Sequence, residues 1–153
     1  ANTEGSVALA KELARTATAP MLPPVESELF TTLQGEWTAT MTGRVGGMGG
    51  GIGGLRFTCG AVTAMAMVLG ALRGYTDGAD LDGKKRLYAQ VQQLHERFVE
   101  KYGTSVCREL LEKNGVSASH VPSERTPEYY KKRHCAQYVA FCAELVAEEL
   151  EKN

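Results

Sequence analysis

Thr58-Cys-Gly-Ala-Val-Thr-Ala-Met-Ala-Met-Val-Leu-Gly-Ala-Leu-Arg-Gly74 is the stretch that decides the fold. A threonine suited to capping a helix opens it and a glycine suited to ending one closes it. Between them Cys59, Val62, Met65, Leu69 and Leu72 recur at helical spacing. The segment is apolar on nearly every side, which predicts a helix over 59–73 at the centre of a bundle. Its apolar run, Ala61 to Leu72, is interrupted by Thr63 and Gly70. It falls short of the roughly 18 consecutive apolar residues of a membrane span, so no membrane insertion is expected.

Downstream, each segment carries its own helix signals. Asp80 and Asp82 are candidate caps for an amphipathic helix with Leu87, Val91, Leu94, Phe98 and Tyr102 inward and Gly103 at its end. Thr104 or Ser105 caps a short helix through Cys107, Leu110 and Leu111, closed by Asn114-Gly115. Thr126-Pro127-Glu128 then starts a last helix, expected to run almost to the C-terminus, with proline at its first position. Cys135, Tyr138, Val139, Cys142, Leu145 and Val146 lie on one side of it.

Upstream, Val7, Leu9, Leu13 and Ala17 suggest a short amphipathic helix that the prolines at 20, 23 and 24 break. Residues 1–24 therefore read as an N-terminal helix or arm, and 25–153 as one helical domain. Leu29, Leu33, Trp37 and Met41 repeat every four residues, and a helix up to about Thr40 is expected, although the alternation after Trp37 also suits a strand. Glycine-rich residues 43–54 follow, a composition that calls for positive φ angles or close backbone approach. The resulting expectation is an all-α, single-domain bundle of about five to six helices with a glycine-rich loop.

The chain carries 17 Lys and Arg against 18 acidic residues, a net charge of −1, which gives no general field to steer it to nucleic acid. Ala1 to Glu12 lacks the basic start and apolar run of a signal peptide, so a cytoplasmic location is expected. Four cysteines in 153 residues are too few for a disulfide framework. They read as core residues, metal ligands or redox groups.

Cys59 and Cys107 both fall in the first turn of an expected helix, where unpaired amides and the helix dipole favour a thiolate. Cys59, beside the glycine loop, is expected to be the more exposed and acidic thiol, with Cys107 or Cys135 as its partner. Cys135 and Cys142 share a helix face but stand roughly 10 Å apart, too far to bond to each other. Each must meet partners from other helices. Four thiols from three helices could surround one metal, although no C-x-x-C pair is present.

The glycine run 49–54, then Cys59-Gly60-Ala61-Val62-Thr63-Ala64 and Leu69-Gly70, resembles the family known by the pattern C_GCAxxG_C_C. Phe98, Tyr102-Gly103, Cys107-Arg108-Glu109-Leu110-Leu111 and Cys135 extend the resemblance from about Leu29 to the C-terminus. It implies a small helical protein with redox or iron–sulfur function. The chain departs from that pattern twice. Pro23-Pro24-Val25-Glu26 stands in the area of the family's first cysteine, and Ala64 replaces the final glycine of the motif. Cys142 is the candidate replacement for the missing cysteine, or a core residue.

Gly49, Gly51 and Gly54 satisfy G-x-G-x-x-G, but a dinucleotide fingerprint needs a preceding strand, a following helix and an acidic residue ending a second strand about 20 residues on. The stretch after it reads as helical through Gly74, with no second strand. The glycine run, with Gly49, Gly50, Gly51, Gly53 and Gly54, reads equally as backbone donors near a cluster, thiolate or small anion and as a tight crossing where side chains would not fit. His95, His120 and His134 lack metal-ligand spacing and read as surface or edge histidines, and Lys131-Lys132-Arg133 as a solvated helix face. Neither a Gly-x-Ser-x-Gly turn nor a Ser–His–Asp set supports hydrolase chemistry.

These residues lead to a redox-active protein working through Cys59, Cys107 and Cys135. The three would act as a thiol–disulfide couple or, with Cys142, as ligands of an iron–sulfur or other thiolate-bound metal centre. A redox partner protein and a homo-oligomeric state are the expected associations. The alternative is a helical scaffold or interaction protein whose cysteines are buried and inert.

Overall fold

The computed structural model describes residues 46–152, so the expected arm over 1–24 and the expected helix up to Thr40 lie outside the described residues. Five α-helices follow a 3-10 turn at Gly46–Met48: α1 (Gly60–Arg73), α2 (Leu81–Tyr102), α3 (Cys107–Lys113), α4 (Pro127–Lys132) and α5 (Cys135–Glu151). The fold is all-α. The one β feature among the described residues is an isolated antiparallel bridge between Thr58 and Val106.

The long helices α1, α2 and α5 pack against one another and hold the core. Met65 and Leu69 of α1, Leu94 and Phe98 of α2, and Cys142, Leu145 and Val146 of α5 are fully buried. Phe98 sits among three further rings, with Tyr102, Tyr138 and Phe141 at centroid distances of 4.9, 5.9 and 6.4 Å. Tilted and edge-on ring pairs of this kind add to plain area burial. Replacing Phe98 by alanine removes the ring around which the others close and leaves a cavity, an expected loss of about 3–5 kcal/mol in urea unfolding.

Two of the expected N-caps, Asp80 and Thr126, form, whereas α3 is entered through Val106 and not capped by Thr104 or Ser105. Asp80 accepts from the Gly83 amide at 2.7 Å, and Gly103 ends α2 in the left-handed region with φ 84°. Thr126 accepts from Tyr129 N at 3.2 Å with Pro127 at the first helical position. Each satisfies a backbone group that the helix end leaves open.

Two expectations are corrected. The central helix opens at Gly60 with Cys59 as its N-cap, because Thr58 is drawn into the bridge with Val106. The last helix is not continuous from Pro127. It ends at Lys132, Arg133 turns extended (φ −115°, ψ 121°), and a new helix starts at Cys135. Lys131 and Lys132 thereby occupy the last turn of α4, where the helix dipole favours cations. The Arg133 guanidinium leaves the helix line and settles 4.0 Å from the centroid of the Tyr129 ring.

Candidate functional site

The helix break gives Cys135 the same setting as the other two candidates. Cys59 caps α1, Cys107 is the first residue of α3, and Cys135 is the first residue of α5. The bridge brings the first two together. Cys59 N donates to Ser105 O at 2.8 Å and Cys107 N donates to Phe57 O at 2.6 Å, on either side of the Thr58–Val106 pair. Successive side chains of an extended segment alternate, so Cys59 and Cys107 leave the bridge on one face as diagonal neighbours, roughly 7–8 Å apart. The charge of Cys107 raises the pKa of both Cys59 and Cys135, and Cys135 raises that of Cys59. The three thiols are within electrostatic reach of one another.

Their environments differ from the expected order. Cys59 is 3% exposed, and burial pushes its thiol up to about 12 even though the Ala61 and Val62 amides pull the other way. The sulfur makes no full capping hydrogen bond with them. Cys59 is therefore neither the exposed nor the acidic thiol. A helix start lowers a thiol's pKa only where the sulfur remains solvated enough to ionise, and here desolvation wins. Cys135 is the half-buried member of the set. Burial and the neighbouring Cys107 raise it to about 11, against the opposing pull of Arg133 and Arg56. Cys142 lies in the core, and burial raises it furthest. All four cysteines are free thiols.

Cys107 and Cys135 line a cavity of about 300 Å³. Gly49, Gly50, Gly53 and Gly54 form one wall, and Arg56, Arg125, Arg133, His120 and Tyr129 lie around it. Gly51 does not line the cavity. The loop is left-handed over five consecutive residues, with φ of 64°, 69°, 63°, 55° and 80° from Gly50 to Gly54. Ile52 is the β-branched member of that series, a strained conformation for its type.

Close approach is the second reason for the glycines. A Cβ on Gly51 would lie 2.7 Å from Phe57 N, and one on Gly54 would lie 2.7 Å from His120 O. The amides of Gly49, Gly53 and Gly54 donate within the loop, to the carbonyls of Gly46, Gly47 and Gly49. Those three amides are therefore not donors into the cavity, and close approach explains the glycines better than an amide nest does.

The cationic side chains are what the sequence reading missed. The sequence pattern puts Arg133 on a solvated face with Lys131 and Lys132. The two lysines are exposed, but Arg133 is half-buried and faces the cavity. His120 also lines it, while His95 bonds to Ser105 Oγ at 2.8 Å and His134 caps α5. Arg56 Nε and Nη2 donate to Ser119 O at 2.8 and 2.6 Å, which ties the glycine loop to the segment before α4. A lone arginine in a loop carries no sequence signal for such a role.

Cys59, Cys107, Cys135 and Cys142 are the expected donors for a thiolate-bound metal. Among the described residues, no three His, Cys, Asp or Glu side chains stand close enough together to hold a metal ion. No helix among them is long and apolar enough to cross a membrane.

Fold and site together define a class: a small helical protein with three helix-start cysteines, two of which line a glycine-walled, cationic cavity. The family model described as "Putative redox-active protein (C_GCAxxG_C_C)" matches residues 27–149. The chain belongs to that family. Neither the curated proteins nor the solved structures give a match.

Proposed function

We propose that the protein is a thiol-redox protein in which Cys135 and Cys107 form the working couple. The observation that carries this reading is that both thiols line one cavity, Cys135 half-buried and Cys107 buried. In the reaction, the Cys135 thiolate attacks a sulfur of a small disulfide and releases one thiol. The Cys107 thiolate then attacks Cys135, closes the protein disulfide and releases the second thiol. The small disulfide is reduced by two electrons and the protein dithiol is oxidised. The two protons lost by the cysteines are taken up by the two released thiolates. Cys59, diagonal to Cys107 and buried, is the third thiol of the set and not the point of entry.

Exposing reduced protein to hydroxyethyl disulfide tests this. The expected product carries a Cys107–Cys135 bond by peptide mapping, and Cys107→Ser should accumulate the mixed disulfide on Cys135. Four unchanged thiols after prolonged exposure would sink the proposal and favour the scaffold reading. That second reading draws on the raised pKa values of Cys59, Cys135 and Cys142, which keep those thiols neutral. Metal content after purification without oxygen separates the remaining possibility. Stoichiometric metal that Cys135→Ser removes would make the cysteines ligands instead of a couple.

A further inference from the structure

The cavity next to the thiols has a chemistry of its own. Among the described residues its formally charged lining is all cationic, Arg56, Arg125 and Arg133, with no Asp or Glu. Among the described residues no carboxylate comes within ion-pair distance of these three arginines, whereas Arg97 pairs with Glu148 at 2.7 Å elsewhere on the surface. Arg125 and Arg133 both lie against the ring of Tyr129, with guanidinium carbons 5.9 and 4.0 Å from its centroid. The Nε of Arg133 is buried and has no hydrogen-bond partner among the described residues.

Such a grouping is unfavourable by itself. A guanidinium stays charged at any working pH, a buried donor without a partner loses its hydration uncompensated, and like charges sharing one ring repel. An anion in the cavity relieves both the unmet donor and the repulsion at once. Arginine's planar fork suits a carboxylate, which it can hold through two parallel hydrogen bonds. Arg56 is already pinned through Ser119 O, so its orientation is set before any ligand arrives. The volume lies at the lower end of small-molecule sites.

We infer that this cavity is an anion site that seats a carboxylate of a small acidic disulfide, presenting its sulfurs to Cys135 and Cys107. The substrate class rests on the thiol-redox reading; the anion site does not. The chemistry is the exchange already written, with an acidic disulfide reduced to two acidic thiols as the protein dithiol closes. The arginines select and position, and do not touch the reacting sulfurs.

Two measurements on the full chain test this. The first uses succinate, a dicarboxylate that cannot react with thiols, added to reduced protein in a calorimeter. Succinate should bind in a salt-sensitive way, and Arg133→Gln should weaken it at least tenfold, with Arg133→Lys weakened less. The second compares rates of protein oxidation by dithiodiglycolate, which is dianionic, by neutral hydroxyethyl disulfide and by cationic cystamine. At low salt the dianion should react at least tenfold faster than the neutral compound and cystamine slowest, and Arg125→Gln/Arg133→Gln should collapse that order toward equal rates. Circular dichroism confirms that each variant is folded. Absent succinate binding together with equal rates for the three disulfides overturns the anion site and leaves the redox reading standing. Succinate binding without oxidation by any disulfide overturns the redox reading and the substrate class, and leaves the anion site.

Discussion

Alkylation of the native protein with iodoacetamide should modify Cys135 first, slowly at neutral pH, and about tenfold faster for each unit of pH up to about pH 11. The thiolate is the reacting form, and burial beside Cys107 holds Cys135 at about 11. Relative to a thiol at the ordinary value of 9.0, its thiolate fraction at neutral pH is about a hundredfold lower. The more basic thiolate is intrinsically about tenfold more nucleophilic, so the net retardation is about tenfold. The sign follows from the cause: burial opposes the charged form, so reactivity is lost at low pH and recovered as pH climbs toward the raised value. Cys59, 3% exposed and pushed up to about 12, and fully buried Cys142 should react only when the protein opens. Peptide mapping of partially labelled protein gives the order directly. Rapid labelling of Cys59 at neutral pH would contradict the geometry, since neither its access nor its ionisation supports it.

The second large effect concerns the glycine loop. Gly51→Ala places a side chain on a residue with φ 69° and drives its Cβ to 2.7 Å from Phe57 N and 2.9 Å from the Arg56 backbone. The left-handed conformation alone costs a non-glycine residue about 1–2 kcal/mol. The contact adds to this because backbone, unlike a side chain, cannot rotate away. A loss of about 3 kcal/mol or more is expected in urea unfolding, large against the usual range for single substitutions. The displaced segment, Arg56-Phe57, carries the carbonyl that accepts from Cys107 N and the guanidinium that donates to Ser119 O. The same variant should therefore disturb the thiol set, and Cys107 should become more reactive. Gly47→Ala is the control, since a Cβ there meets nothing within 4 Å and φ is not left-handed. A stability equal to the parent for Gly51→Ala would mean that the loop does not sit against residues 56–57.

Much of the fold was legible in the sequence because its signals are local. The apolar periodicity of 59–73, the Asp80 and Thr126 caps, Pro127, and the glycines ending helices at 103 and 115 each act through neighbours a few residues away. Those signals placed three of the five described helices with their approximate limits and joined the last two into one. Periodicity failed at Arg133–His134, where the apolar face carries on across the break. Nothing in a residue-by-residue pattern announces that Arg133 will leave the helix to lie on Tyr129. Cys59 and Cys107 stand out in the sequence from their positions at helix starts, and a grouping with Cys135 and Cys142 is expected from the need for partners on other helices.

The sequence by itself determined the all-α class, the central position of the 59–73 segment and the membership of the C_GCAxxG_C_C family. Those outcomes depend on patterning and propensity, which are properties of short windows. Only the tertiary structure decided which thiol is reachable, and it reversed the expected order. Burial of Cys59 by α1, α2 and α5 outweighs the pull of its own helix start, because the cost of desolvating a charge depends on everything packed around it. It also decided that Arg56, Arg125 and Arg133, spread over 78 positions of the numbering, surround one cavity beside Cys107 and Cys135. Electrostatic neighbourhoods form across space, where sequence distance carries no weight.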